Sequence, residues 1–303
     1  MPVSTSRFST YSRAHIKMHL SVLLWGLTGV LGRAIELNEA LLVWYRMLIV
    51  AVTLFLYVQI RKHPLRVSVA QYRFLALIGF LLMVHWVLFY GAIKYSNVSI
   101  TMSMFASTTL FTALLEPLIT PKKFDYRELI YSFLALIGIG MIYYTDTNNY
   151  QAGIVLAILA AFVGAFFNIL NKSVVNELPV SVVTFYEIVW GVAILTPFIP
   201  FYVQYFNLQK LFPTLQDGIL LFILAVLCTH VPLLLSLSAL RNLSAFTLNL
   251  VINLEPVYAI MLAFIIYREN KELNTWFFAG VTLILTGVVL HAIEQRPPVQ
   301  CPS

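Results

Sequence analysis

The chain has 303 residues, 60% of them hydrophobic and only 11% charged, with a net charge of +6. A soluble domain is about 45–50% apolar and about 25% charged; 19 basic and 13 acidic side chains cannot cover a soluble fold that hides this much apolar material. A soluble enzyme, a disordered chain and a fibrous protein are excluded, and the composition points to a protein that crosses a membrane several times.

In chain order, residues 1–15 read as a polar, basic cytoplasmic tail carrying Arg7 and Arg13. The apolar run behind it lacks a small-residue cleavage site followed by a soluble domain, so it reads as a retained membrane helix and not as a signal peptide. A bilayer core about 30 Å thick takes about 20 mostly apolar residues as a helix. Ten such runs follow one another, at 16–35, 41–60, 73–93, 97–119, 127–145, 151–171, 180–203, 217–239, 243–267 and 273–293. Helices are the expected spanning element, because backbone groups find no water to bond in lipid. Tight turns at Glu36–Ala40, Lys94–Asn97 and Arg241–Asn242 leave no room for an inserted soluble domain, and residues 294–303 read as a second tail.

With the N-terminus in the cytoplasm, the cytoplasmic segments hold Arg7, Arg13, Lys17, Arg61, Lys62, Arg66, Arg73, Lys122, Lys123, Arg127, Lys172, Arg241 and Arg296. The other side holds Arg33, Lys94, Lys210, Arg268 and Lys271. The positive-inside rule therefore favours both termini in the cytoplasm, in a multi-pass protein of the cytoplasmic (inner) membrane. The positive charge is explained by these loops, and no nucleic acid partner is expected.

Charged groups inside apolar runs cost a few kcal/mol each on insertion scales, so each asks for a partner or a role. Trp25 in the first run is a candidate wall of a solute cavity; Gly26 beside it, like Gly164 in the sixth run, permits close helix approach or hinge motion. Arg46 in the second run pairs with Glu187 in the seventh or snorkels to the interface. His85, Trp86 and Tyr90 in the third run, and His230 in the eighth, are candidates to stack on or hydrogen-bond a planar solute. Ser103 and Ser107 in the fourth run either pack helices closely or line a polar pathway. Asn168 follows Gly164 in the sixth run as a further cavity candidate, and Glu187 is a structural partner or a proton carrier. In the ninth run Asn249 and Asn253 share one helix face and lead into Glu255 and Pro256. Pro256 removes a backbone donor and can kink the helix. Glu255 beside such a break either binds a cation, an amine or a proton, or accepts a structural hydrogen bond. Glu116-Pro117 looks alike but lies near one end of its run and reads as interfacial.

Cys228 and Cys301 lie far apart and form neither a disulfide framework nor a metal-ligand spacing. The chain has no G-x-x-x-x-G-K-[ST] loop and no G-x-S-x-G. No cofactor and no metal are expected, and transport driven by ATP would need a separate subunit.

The sequence also repeats. At an offset of 147, Gly91-Ala92-Ile93-Lys94 falls on Ser238-Ala239-Leu240-Arg241, Leu110-Phe111-Thr112-Ala113 on Val257-Tyr258-Ala259-Ile260, and Gly140 on Gly287. Nearer the start the offset shortens, so that Trp44-Tyr45-Arg46 meets Phe185-Tyr186-Glu187 and Gly26 meets Gly164. The units are 16–145 and 151–293. Each holds five runs, and an odd number makes the second unit enter from the opposite side. The expected fold is an all-α integral membrane protein of ten transmembrane helices in two inverted five-helix repeats, an architecture of many secondary transporters.

The motifs Leu24-Trp25-Gly26, Tyr45-Arg46-Met47, Ala239-Leu240-Arg241, Asn253-Leu254-Glu255-Pro256-Val257-Tyr258-Ala259 and Tyr267-Arg268-Glu269, followed by Gly280 and Gly287, stand in a fixed order. In that order they resemble the drug/metabolite transporter superfamily, specifically its ten-helix EamA-type members, over about 16–293. The resemblance implies export or exchange of small metabolites by alternating access. The first repeat departs from it: Thr109 stands where Pro256 would match and Lys122 where Glu269 would.

These readings converge on a secondary active transporter, an exporter or exchanger of small metabolites such as amino acids. Its partners are a small-molecule solute, the lipid bilayer and, as candidate coupling ion, the proton. A membrane-embedded receptor or scaffold, or a lipid-acting enzyme, is the alternative.

Overall fold

The computed structural model describes residues 5–105, 107–120, 126–144, 149–174, 177–240, 251–252 and 254–294, and among these it is helical with no strand. The helices are α1 Thr5–Ala34, α2 Glu39–Ile60, α3 Val69–Tyr95, α4 Val98–Phe105, α5 Thr108–Ile119, α6 Tyr126–Tyr144 and α7 Gln151–Val174. They continue with α8 Val180–Leu195, α9 Ile199–Tyr205, α10 Leu215–Ala225, α11 Val231–Leu240, α12 Glu255–Tyr267 and α13 Thr275–Glu294. Seven stretches among the described residues are long and apolar enough to cross a membrane, and α12 is a shorter apolar helix.

Local chemistry sets several helix starts. Asn38 accepts from the Ala40 amide at 3.1 Å ahead of α2. Ser68 and Gln71 form a capping box on α3, and Thr214 and Asp217 form one on α10. Other boundaries depart from the expected runs. The helix α1 starts at Thr5, within the stretch read as a tail, because polar residues continue a helix into water without cost; its 30 residues reach about 45 Å. The fourth run is split into α4 and α5. There the Ser107 hydroxyl donates to the Met104 carbonyl at 2.6 Å and that of Thr108 to Phe105 at 2.6 Å, competing with the helix ladder. The seventh run passes through a 3-10 turn at Thr196–Phe198, where Pro197 stands, between α8 and α9. The eighth is interrupted by a π-helical turn at Val226–His230 between α10 and α11.

The helices pack in pairs that map onto one another when the halves are exchanged. The pair α3 with α7 corresponds to α11 with α1, α3 with α8 to α10 with α2, and α1 with α12 to α7 with α4 and α5. The pairs α2 with α8, α4 with α12 and α6 with α13 map onto themselves. Each half thus supplies partners for the other. Side chains such as Leu23, Phe55, Leu56, Phe133, Leu159, Phe222, Ile265 and Ile266 stay exposed around the outside, as a lipid-facing belt requires.

Glycines set the closest crossings. A Cβ on Gly138 would stand 2.5 Å from the Gly280 carbonyl oxygen, and one on Gly280 would stand 2.7 Å from that of Gly138, so α6 and α13 meet backbone to backbone. At Gly79 a Cβ would lie 2.4 Å from the Glu187 carbonyl, the equivalent contact between α3 and α8.

The end of the bundle where α1 meets α2 is closed by polar contacts. Glu269 is fully buried. Its carboxylate pairs with Arg33 and accepts from the Val98 amide at 3.1 Å, the Ser99 amide at 2.8 Å and the Ser99 hydroxyl at 2.5 Å. It therefore satisfies amides at the start of α4 that the helix itself leaves unpaired. Lys94 donates to the Ile35 carbonyl and Tyr202 to Glu39. Lys210 bridges Glu36 at 2.8 Å and Asp217 at 2.9 Å. The Glu36 and Asp217 carboxylates hold its ammonium above the ordinary lysine range, so Lys210 keeps its charge through neutral pH and loses it in alkali. The opposite end uses weaker contacts, such as Lys17 to the Ser238 hydroxyl at 2.8 Å and Gln71 to Glu177 at 3.3 Å.

The Gly138→Ala substitution should lower stability by about 1–3 kcal/mol, the range for forcing atoms into a packed contact. Gly140, two residues along and facing away on α6, has nothing within 4 Å of an added Cβ. Gly140→Ala should be neutral or stabilising by up to about 1 kcal/mol. Thermal unfolding of both variants in detergent checks the contrast.

Candidate functional site

Arg46 lies at the centre of the bundle and is 3% exposed. This corrects both expected roles, since it neither pairs with Glu187 nor snorkels. The mid-helix position on α2 faces the core, where neutral partners are within reach. Its Nε donates to the Thr229 hydroxyl at 2.9 Å and its Nη1 to the Tyr90 hydroxyl at 2.5 Å. The guanidinium stacks 3.9 Å from the centre of the Trp86 ring, an arrangement that stabilises a desolvated cation.

Each partner is held in turn. Tyr90 is fully buried, and α1 can pass over it only because Gly32 lacks a side chain: a Cβ there would stand 2.3 Å from the ring. Thr229 lies in the π-helical turn and donates to the Leu224 carbonyl at 2.8 Å. The turn's wider register aims that hydroxyl at Arg46, and π turns often mark functional sites.

Glu255 is the first residue of α12 and is partly exposed. Its charge and that of Arg46 act on one another, and no ion pair joins them among the described contacts. Pro256 sits in the first helical turn, where a missing N–H costs nothing. Helical residues at Val251 and Ile252 and a turn at Leu254 precede it, so the proline stands just after a break in the ninth run. Asn249 and Asn253 lie outside the described residues. Trp25, Ile252, Leu254 and Tyr258 pack against one buried cluster of Ala14, Met18, Val22, Ala239 and Val251. Gly26 lets α12 approach, since a Cβ there would stand 3.0 Å from Cβ of Tyr258.

Other expected wall residues are committed elsewhere. The hydroxyl of Ser103 donates to the Ser99 carbonyl at 2.7 Å and that of Ser107 to Met104, and both residues are buried. Trp86 and Tyr90 support Arg46 instead of offering free faces to a solute. Nδ1 of His85 lies 2.8 Å from the Ala160 carbonyl, and its ring packs against Gly164 and Phe105. Nδ1 of His230 lies 3.0 Å from the Thr53 hydroxyl, with the ring edge-on to Tyr57. Asn168 is exposed, three residues from Asn171. Asn171 hydrogen-bonds Glu187, which is 2% exposed on α8.

The arrangement therefore brings together a cation fixed by three neutral partners and a carboxylate at a helix start. Sequence reasoning did not identify Thr229, Gly32 or Gly79. The isolated glycines at 32 and 79 in apolar runs were the available signals; the π turn left none.

The sequence pattern of the EamA-like transporter family matches residues 12–144 and again residues 151–293. An uncharacterized transporter of Haemophilus influenzae is 23% identical over 293 residues, 91% of this chain and 94% of its own. Another, YxxF of Bacillus subtilis, is 25% identical over 225 residues, 72% of this chain and 69% of its own. A solved crystal structure superposes with a TM-score of 0.65 at 13% identity, covering 94% of this chain and 99% of its own. That likeness shows the fold alone.

Tyr90→Phe removes one acceptor from a buried guanidinium and should cost about 1.5–3 kcal/mol, the range for a hydrogen bond to a charged group. A drop in unfolding temperature together with loss of ultraviolet tyrosine–arginine perturbation on unfolding checks it.

Proposed function

The chain belongs to the EamA-like transporter family, and on that premise we propose that it moves small zwitterionic solutes of the amino acid class across the cytoplasmic membrane as a secondary transporter. One observation carries the reading. A buried Arg46 with neutral partners and a partly exposed Glu255 offer opposite charges in one region without pairing directly. A solute with a carboxylate and an ammonium group complements both. The carboxylate goes to the guanidinium, which suits planar two-point recognition. The ammonium goes to Glu255, and Trp25 and Tyr258 flank it. No chemical step on the solute is involved.

The matched helix pairs support an alternating-access cycle in which the halves rock about this region. The closed polar end, held by Glu269, Glu36 and Asp217, is the side away from the cytoplasm in the orientation favoured by the basic residues. A reporter fused to the C-terminus should then be active only in the cytoplasm.

Counterflow in proteoliposomes tests the substrate class. Vesicles would be preloaded with amino acids, their decarboxylated amines or purines, and uptake of labelled solute measured. Amino acid exchange is expected, and exchange confined to amines or purines, or none at all, overturns the reading. Arg46→Met should reduce amino acid exchange at least about thirtyfold, since truncating one partner of a buried charge contact costs about 2–5 kcal/mol. Glu255→Gln should weaken amino acids more than the corresponding carboxylic acids lacking the amine.

A further inference from the structure

A second polar cluster lies away from Arg46, at the crossing of α3, α7 and α8. Glu187 is 2% exposed. Asn171 of α7 hydrogen-bonds its carboxyl group. One oxygen of each side chain, Oε1 of Glu187 and Oδ1 of Asn171, is buried and has no hydrogen-bond partner. Nε1 of Trp190, one turn along α8, is likewise unpartnered. Unsatisfied buried polar atoms are few in native proteins, and each asks for an explanation. Here two acceptors stand on two side chains that already share one bond.

The surroundings are tight. Gly79 of α3 presses against the Glu187 backbone, so closely that a Cβ would stand 2.4 Å from its carbonyl oxygen and 2.9 Å from Cβ of Trp190. A Cβ on Gly191, one turn along α8, would stand 3.3 Å from the Gly79 carbonyl oxygen. Among the described contacts, no charged or titratable group on the elements packed against α8 bonds to Glu187. On α2, Arg46 is held by Tyr90, Thr229 and Trp86, and the following loop places His63 2.8 Å from the Ser181 hydroxyl. On α3, Tyr72 packs on the Trp190 and Tyr186 rings, Arg73 is exposed and His85 meets Ala160. On α7 the charged residue is Lys172, the chain neighbour of Asn171, and α11 carries no titratable side chain.

We propose that Glu187 and Asn171 form a proton-binding site that couples solute movement to the proton gradient, occupied by a proton when the seam between α3 and α8 is closed. One proton on Oε1 turns two unpaired acceptors into a donor and an acceptor. The carboxyl group then donates to the Asn171 carbonyl while the Asn171 amide donates back, a two-bond acid–amide pair. An ionised carboxylate in the same place has one oxygen bare of donors, which a dry site disfavours. A metal cation needs more oxygen ligands than these two. The proton comes from water on one side and leaves to water on the other when the seam parts. The seam joins α3 of the first half to α8 of the second, so the movement that exchanges access also wets Glu187.

The coupling role rests on the transport reading above; proton occupancy does not, and the test separates them. Infrared difference spectra of the purified protein between acid and alkaline pH should contain a protonated-carboxyl stretch that disappears in Glu187→Gln. It should reappear, shifted, in Glu187→Asp, which also serves if the amide variant folds poorly. Absence of a band that depends on residue 187 overturns the site. In proteoliposomes, a gradient of one pH unit supports about tenfold solute accumulation for one proton per solute, and Glu187→Gln should lose it. Accumulation by that variant equal to the unsubstituted protein overturns the coupling role even where the band is found. Failure of the unsubstituted protein to exchange amino acids would count against the substrate class alone, because the band is read without solute.

Discussion

A guanidinium does not give up its proton inside a protein, so a membrane helix that carries one must surround it. The centre of this bundle is organised by that requirement. Arg46 draws a hydroxyl from α3, a second from the turn between α10 and α11, and an indole face from Trp86. To bring Tyr90 within reach, α1 must give up a side chain at Gly32. To aim Thr229, the eighth span must leave the α-helical register. Two departures from plain helix packing thus share one cause. None of the three partners carries a formal charge, so the cation is solvated but not cancelled.

The two halves are alike in their pairings and unlike in their chemistry. Helix pairs exchange with one another throughout the bundle. The closed end, however, depends on an acid that has no counterpart in the other copy of the repeat. Glu269 caps α4, whereas the position matching it in the first half is Lys122, which has no lone pair to offer an amide. The ends are therefore held by different forces: buried, hydrogen-bonded charge at one, and neutral or exposed contacts such as Gln71 with Glu177 at the other. Gly26 and Gly164 diverge in the same way. The first makes room for α12 and the second for the His85 ring.

Much of the architecture was legible in the sequence because apolar run length and the 147-residue offset both report on geometry that lipid enforces. The all-helical bundle and the membrane spans follow from them. What escaped notice depends on how helices meet. Arg46 and Glu187 occupy matching repeat positions, and their charges suggested a pair. An inverted repeat, though, relates positions by rotation without bringing them into contact, and each found another partner. Ser103 and Ser107 have the spacing of a polar stripe, but hydroxyls in lipid can satisfy themselves on the preceding turn, as both do. Pro256 carried the signal of a helix break, and α12 begins one residue before it, after the turn at Leu254. The π turn at Val226–His230 is a change of backbone register, which its polar residues Thr229 and His230 do not by themselves signal.

The bond between Glu269 and the start of α4 spans about 170 residues of chain. During synthesis, α4 leaves the ribosome long before its cap exists. At about 5–20 residues per second, the interval is on the order of 10–30 s. For that time the amides of Val98 and Ser99 and the guanidinium of Arg33 must be satisfied by water, headgroups or the insertion machinery. The first half cannot adopt its final form as it emerges. It waits in the membrane with an unfinished helix end, and the last hairpin to be made completes the first.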